Sequence, residues 1–165
     1  MNIYDFAMQM EKDGESYYRK LKASSKNAGL QKIFGMLADE EVMHFQVLQK
    51  MKQQTGTGRL QETSILTNVK NIFIEMKEDK EVLHVDSTID TEAYRKARDI
   101  EQKSIDFYLE KAEETKEEGV KTLLLQLAKM EEKHRNIMQN IVDFASRPEP
   151  GNWLENAEWH HLDEY

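Results

Sequence analysis

No cysteine occurs anywhere in the chain. That removes disulfides, thiolate nucleophiles, iron–sulfur clusters and cysteine-type zinc sites together. Proline is confined to two positions, 148 and 150, and only seven glycines are scattered through 165 residues. Breakers of helix are therefore scarce, while Glu, Lys, Gln, Leu and Met abound, a composition that predicts an all-helical fold. No block of Lys or Arg stands out, and with a formal net charge of −8 the chain has no electrostatic footprint for nucleic acid. No apolar run approaches the ~20 residues that cross a bilayer. The opening MNIYDFAMQMEKDGE has neither the basic start nor the apolar centre of a signal peptide, so the expectation is a cytoplasmic protein.

What is present is helical periodicity. A first helix is predicted from a cap at Asn2 to the SSKNAG break at 24–29, and a second from about Leu30 to Gln54, before TGTG at 55–58. Ile65, Val69, Ile72, Phe73 and Met76 mark a short amphipathic helix inside a long connection, placed either to cap the bundle or to meet a neighbouring subunit. A third long helix is expected over about 91–116, with Ser87, Asp90 or Thr91 as its cap, and a fourth from about Val120 to Ala145. Two helical hairpins joined by a long crossover predict a four-helix bundle over 1–147. The tail at 148–165 carries both tryptophans and is expected to dock on it.

Residues 37–48, LADEEVMHFQVL, place Leu37, Glu41, His44 and Leu48 on one helical face. A single glutamate on an apolar stripe is usually a boundary residue reaching for water. Ninety residues on, however, LAKMEEKHRNIM repeats the stripe as Leu127, Glu131, His134 and Met138. The same offset relates Ala7, Glu11, Gly14 and Tyr18 to Ala97, Glu101, Ser104 and Tyr108. The halves are copies of one hairpin, each with an inward Glu on its first helix and an inward Glu-x-x-His on its second. Four carboxylates in a bundle core need positive charge, because uncompensated burial costs several kcal/mol per ion. No Lys or Arg shares their stripes, so metal cations are the natural compensation. Glu11, Glu41, His44, Glu101, Glu131 and His134 form a hard-to-borderline donor set suited to two iron or manganese ions better than to a closed zinc site, with Glu41 and Glu131 as bridging candidates. Four carboxylates balance two divalent ions, and oxidation would leave a positive surplus matched to oxygen species.

This constellation resembles the ferritin-like di-iron carboxylate family. The Glu11-to-Tyr18 and Glu101-to-Tyr108 spacings and the hairpin lengths are most similar to its rubrerythrin branch. The resemblance implies two iron ions (manganese or zinc being possible as isolated) and reduction of hydrogen peroxide or dioxygen. It also implies electrons from an external donor such as a rubredoxin, since this chain lacks the cysteine-rich domain that usually follows. The expected assembly is a homo-oligomer, a dimer first. Iron oxidation for handling or storage is the alternative, and a metal-stapled interaction module the third reading. The branch often places another Glu three residues after the third-helix glutamate, where it takes part in a redox-linked ligand exchange; here Ser104 stands there and Gly14 at the repeat-related place.

Around these six, Tyr18 and Tyr108 are expected in the core with their hydroxyls on ligand carboxylates. Gly14 is either drift or room left beside the metals. Glu40 and Glu132 lie about 100° away from the ligand stripe and are expected in solvent, unless one bonds a ligand. Each histidine needs an acceptor for its second ring nitrogen, which the sequence does not identify. Met36, Met51, Met130 and Met138 read as core filler, and His84, His160 and His161 as surface or packing residues.

Overall fold

A computed structural model describes residues 2–53, 63–78 and 87–146. The expectations for Gln54, His84, His160, His161 and the tail at 148–165 lie outside the described residues. Five helices are present among those described: α1 (Ile3–Ser24), α2 (Ala28–Lys52), α3 (Ile65–Glu78), α4 (Ser87–Glu114) and α5 (Glu118–Ser146). None is long and apolar enough to cross a membrane.

Helices α1 and α2 pack as one hairpin and α4 and α5 as another, with α3 against α2 and α5. The result is the ferritin-like bundle with a helix in its crossover. Local chemistry sets the ends. Asn2 caps α1 by accepting from the Asp5 backbone N–H at 2.9 Å, and Asn27 caps α2 by accepting from Leu30 N–H at 3.0 Å. In the first hairpin loop Ser25 Oγ accepts from Asn27 N–H, and in the second Thr115 Oγ1 accepts from Glu117 N–H, each at 3.3 Å. These two turns stand ninety residues apart, as do the ends of α1 and α4 and the starts of α2 and α5. The internal repeat thus extends to the corners. Helix α4 begins at Ser87, earlier than expected, so Asp90 and Thr91 lie inside it rather than capping it.

The core is in two parts. One apolar cluster joins Tyr18, Leu21, Leu30, Phe34, Leu37, Tyr94, Ile137, Met138 and Phe144. The other joins Ala7, Leu48, Tyr108, Ala112, Leu123, Leu124 and Leu127. At about 1.5–3 kcal/mol for each fully buried large side chain, these clusters supply the main stabilisation on either side of whatever lies between. Ile65, Val69, Phe73 and Met76 of α3 belong to the first cluster, so the crossover helix caps its own chain's bundle. Its approach is close: a Cβ on Gly29 would stand 2.6 Å from Met76 Sδ.

Candidate metal centre

Between the two apolar clusters lies a polar layer. Glu11 on α1, Glu41 and His44 on α2, Glu101 on α4, and Glu131 and His134 on α5 are each at most 3% exposed. All six sequence-derived residues therefore meet in one place. Their arrangement follows the repeat. His44 Nδ1 stands 3.3 Å from Glu11 Oε2 and 3.1 Å from Glu131 Oε1. His134 Nδ1 stands 3.0 Å from Glu41 Oε1, 3.4 Å from Glu131 Oε2 and 3.6 Å from Glu101 Oε1. Each histidine thus faces the first-helix glutamate of its own half and a second-helix glutamate of the other. The two imidazoles lie nearly parallel, 5.5 Å between centroids and 11° between planes.

Two four-residue groups have ligand atoms all within 4.8 Å of one another: Glu11, Glu41, His44 and Glu131, and Glu41, Glu101, Glu131 and His134. They share Glu41 and Glu131. No lysine or arginine is among the ion-pair partners of these carboxylates in the described residues. Glu131 Oε2 is buried with no hydrogen-bond partner among them, a costly state for a carboxylate oxygen.

The electrostatics show the strain of so many acids in one layer. Burial raises Glu41 and Glu131 well above the usual carboxylate range, and the neighbouring carboxylates push each further. Burial opposes ionisation of Glu11 too, but the charge of His44 and bonds from Glu41, His44 and Tyr108 hold it at about 2. Glu101 is also lowered against the cost of burial, through bonds from Glu131, His134 and Tyr18. His44 resists burial by facing the Glu11 charge and rises to about 10, and His134 rises well above its ordinary value among four acids. Without cations, these shifts favour protons on Glu41, Glu131 and both imidazoles.

The tyrosines cross between halves. Tyr18 Oη donates to Glu101 Oε1 and Tyr108 Oη to Glu11 Oε1, as their spacing led one to expect. Burial and the facing carboxylate raise both phenols well above 10, so each remains a donor. Ser104 Oγ donates back to Ile100 C=O at 3.3 Å, and its side chain lines an outer groove with Phe6, Met10, Asp13 and Phe107.

Of the two places the sequence leaves open for Glu40, solvent or a bond to one of the six residues, the structure shows the second. Glu40 is 5% exposed, and its Oε1 lies 2.9 Å from His134 Nε2. Thr63, just ahead of α3, donates to its other oxygen at 2.5 Å. Burial opposes the charge on Glu40, but His134 and Thr63 lower its pKa. The acceptor for the second ring nitrogen of His134 is therefore Glu40, the residue beside Glu41. Its only trace in the sequence is the second acid of DEEVMH.

At Gly14 the missing Cβ leaves room beside Glu41. A Cβ there would sit 3.2 Å from Glu41 Oε2 and 3.3 Å from its Cδ. In Gly14→Ala the helix gains about 1 kcal/mol of intrinsic propensity, and a free Glu41 can swing aside. Once a cation fixes Glu41 it cannot. The expected outcome is a metal-free melting temperature no lower than native, with metal affinity reduced several-fold in a zinc titration. Unchanged affinity would make Gly14 mere drift.

A buried carboxylate–histidine layer sandwiched between apolar clusters, with two overlapping ligand groups, fits a two-metal site of the ferritin-like carboxylate class. The family pattern described as Rubrerythrin matches residues 2–142, and the chain belongs to that family. No curated protein and no solved structure gave a match.

Proposed function

We propose that the protein is a di-iron oxidoreductase that reduces hydrogen peroxide to water with electrons from a separate donor. Glu11 and His44 would hold one ion, Glu101 and His134 the other, and Glu41 and Glu131 would bridge them. The observation that carries this reading is the sharing of Glu41 and Glu131 by both ligand groups, which suits two ions set side by side better than two separate sites. Iron bound there would supply Lewis acidity and the two electrons that, with two protons, convert hydrogen peroxide to two waters.

The chain's own part is geometric. Tyr18 and Tyr108 pin the terminal carboxylates, Glu40 orients one imidazole, and the apolar clusters close the layer from both ends. These 165 residues hold no cysteine for a rubredoxin-type centre, and the reading takes its electrons from a separate donor. A cytoplasmic homodimer is the assembly and setting this reading takes.

Anaerobic reconstitution with ferrous iron, metal analysis and stopped-flow mixing with peroxide test the proposal. Two irons per chain and oxidation by peroxide faster than by dioxygen are expected. A protein that reacts with dioxygen and ignores peroxide overturns the peroxidase reading, and a large hollow shell by solution mass favours iron storage. Ser104→Glu, adding a carboxylate three residues after Glu101, should supply a seventh ligand and change the peroxide rate under the same mixing conditions.

A further inference from the structure

We propose that Glu40, held by Thr63, is a positioning residue that makes the two metal positions unequal, the ion on the His134 side being the more tightly bound. The proposal rests on the two-metal reading above.

His134 meets the carboxylate layer with Nδ1 and turns Nε2 away from it, 2.9 Å from Glu40 Oε1. An N–H at Nε2 donating to Glu40 leaves the Nδ1 lone pair free for a cation, so this one bond fixes the tautomer, the ring plane and the ligand atom. A carboxylate behind a ligating imidazole also makes it a stronger donor. Glu40 is in turn held, because its second oxygen accepts from Thr63 Oγ1. The crossover that carries α3 therefore reaches the metal layer through two hydrogen bonds in series.

Here the internal symmetry breaks. The residue ninety positions on from Glu40 is Met130, also buried. His44 faces the layer through Nδ1 as His134 does, yet among the described residues no carboxylate hydrogen-bonds its other nitrogen. A thioether is a weak acceptor without charge. The two rings are nearly parallel, and a carboxylate stands behind only one of them among the described residues. Glu40 does offer an oxygen within 4.8 Å of ligand atoms on both His44 and His134, so a third cation on those three residues is the competing use of the same carboxylate.

Cobalt(II) titration of the metal-free full chain, followed by visible absorption and calorimetry, separates these possibilities. Native protein should take up two ions in unequal steps. Glu40→Met, which installs the residue the repeat already uses, should weaken the tighter step about 10–100-fold, the usual cost of losing such a partner, and merge it with the other. Glu40→Gln keeps a carbonyl for Nε2–H and should recover part of that loss, which a merely structural role would not produce. Met130→Glu should tighten the weaker step. Two ions bound identically by native and Glu40→Met protein overturn this proposal alone. Three ions in native protein against two in Glu40→Met overturn it by making Glu40 a ligand. Failure of native protein to bind cobalt removes the two-metal reading and this proposal with it.

Discussion

Glu41→Gln and Glu131→Gln should each abolish oxidation of the ferrous protein by peroxide while leaving the fold at least as stable as native in the metal-free state. The amide keeps the shape of the side chain but cannot bridge two cations as an anion. One charge is lost from each of two ligand groups at once, because both residues belong to both groups. A rate loss of at least about a hundredfold is expected, beyond the range typical of a partner behind a ligand. Stability goes the other way. Burial and neighbouring carboxylates raise both groups, so the folded chain holds protons that the unfolded chain gives up above the ordinary value of 4.5. A raised pKa contributes stability at low pH that is lost as pH rises. Glutamine carries no such liability, so the variants' advantage in melting temperature should widen from pH 5 towards alkaline pH. Native oxidation rates in either variant would remove the assignment of the site.

The six residues of the layer could be read in the sequence because each belongs to a periodic stripe and each stripe occurs twice at one offset. Glu11 alone, or Glu41-x-x-His44 alone, would have been a common accident of a Glu-rich helical chain. The same reasoning leaves Glu40 undecided between solvent and a bond to one of the six. Its repeat mate is Met130, so duplication argues against it, and its partners lie on α5 and at the start of α3. A helical wheel assumes one buried face, whereas α2 is covered both by the bundle and by the crossover. Gly14 was ambiguous for a related reason. Whether a missing Cβ matters depends on what stands 3–4 Å away on another helix, here Glu41. Helix ends were legible where a capping side chain stood alone, as at Asn2. They were not legible in LHVDSTID, where several capping residues compete and the helix already includes Ser87, Asp90 and Thr91.

Loading two divalent ions into the metal-free protein at neutral pH should release about four protons, a stoichiometry that follows from charge conservation in the layer. Before loading, His44, raised to about 10, and His134, raised by the acids around it, both favour the imidazolium form. Glu11, at about 2, and the lowered Glu40 and Glu101 favour the ionised form, whereas burial and the facing carboxylates favour a proton on Glu41 and Glu131. Two positive charges thus face three negative ones. After loading, both imidazoles are neutral and all five carboxylates are ionised, so four metal charges face five, and the net charge of the interior is unchanged. A low-dielectric layer tolerates either state, and equally a half-loaded one in which a single ion has replaced two protons, since none of them leaves buried charge uncompensated. Overall metal affinity should therefore climb by about four powers of ten per pH unit near neutrality. Calorimetric titration in buffers of different ionisation enthalpy reads the proton count directly. The metal-free protein should behave oppositely. His44 has an ordinary value of 6.5, so its contribution is complete below that pH and lost as pH rises through about 10, while that of Glu11 is lost as pH falls from 4.5 towards 2. Melting temperature should accordingly peak in mild acid without metal and fall towards pH 9, whereas the zinc-loaded protein should hold its melting temperature over that range. Release of two protons or fewer would mean that the carboxylates enter the loaded state already ionised, and would return the positive charge in the layer to some source other than bound protons.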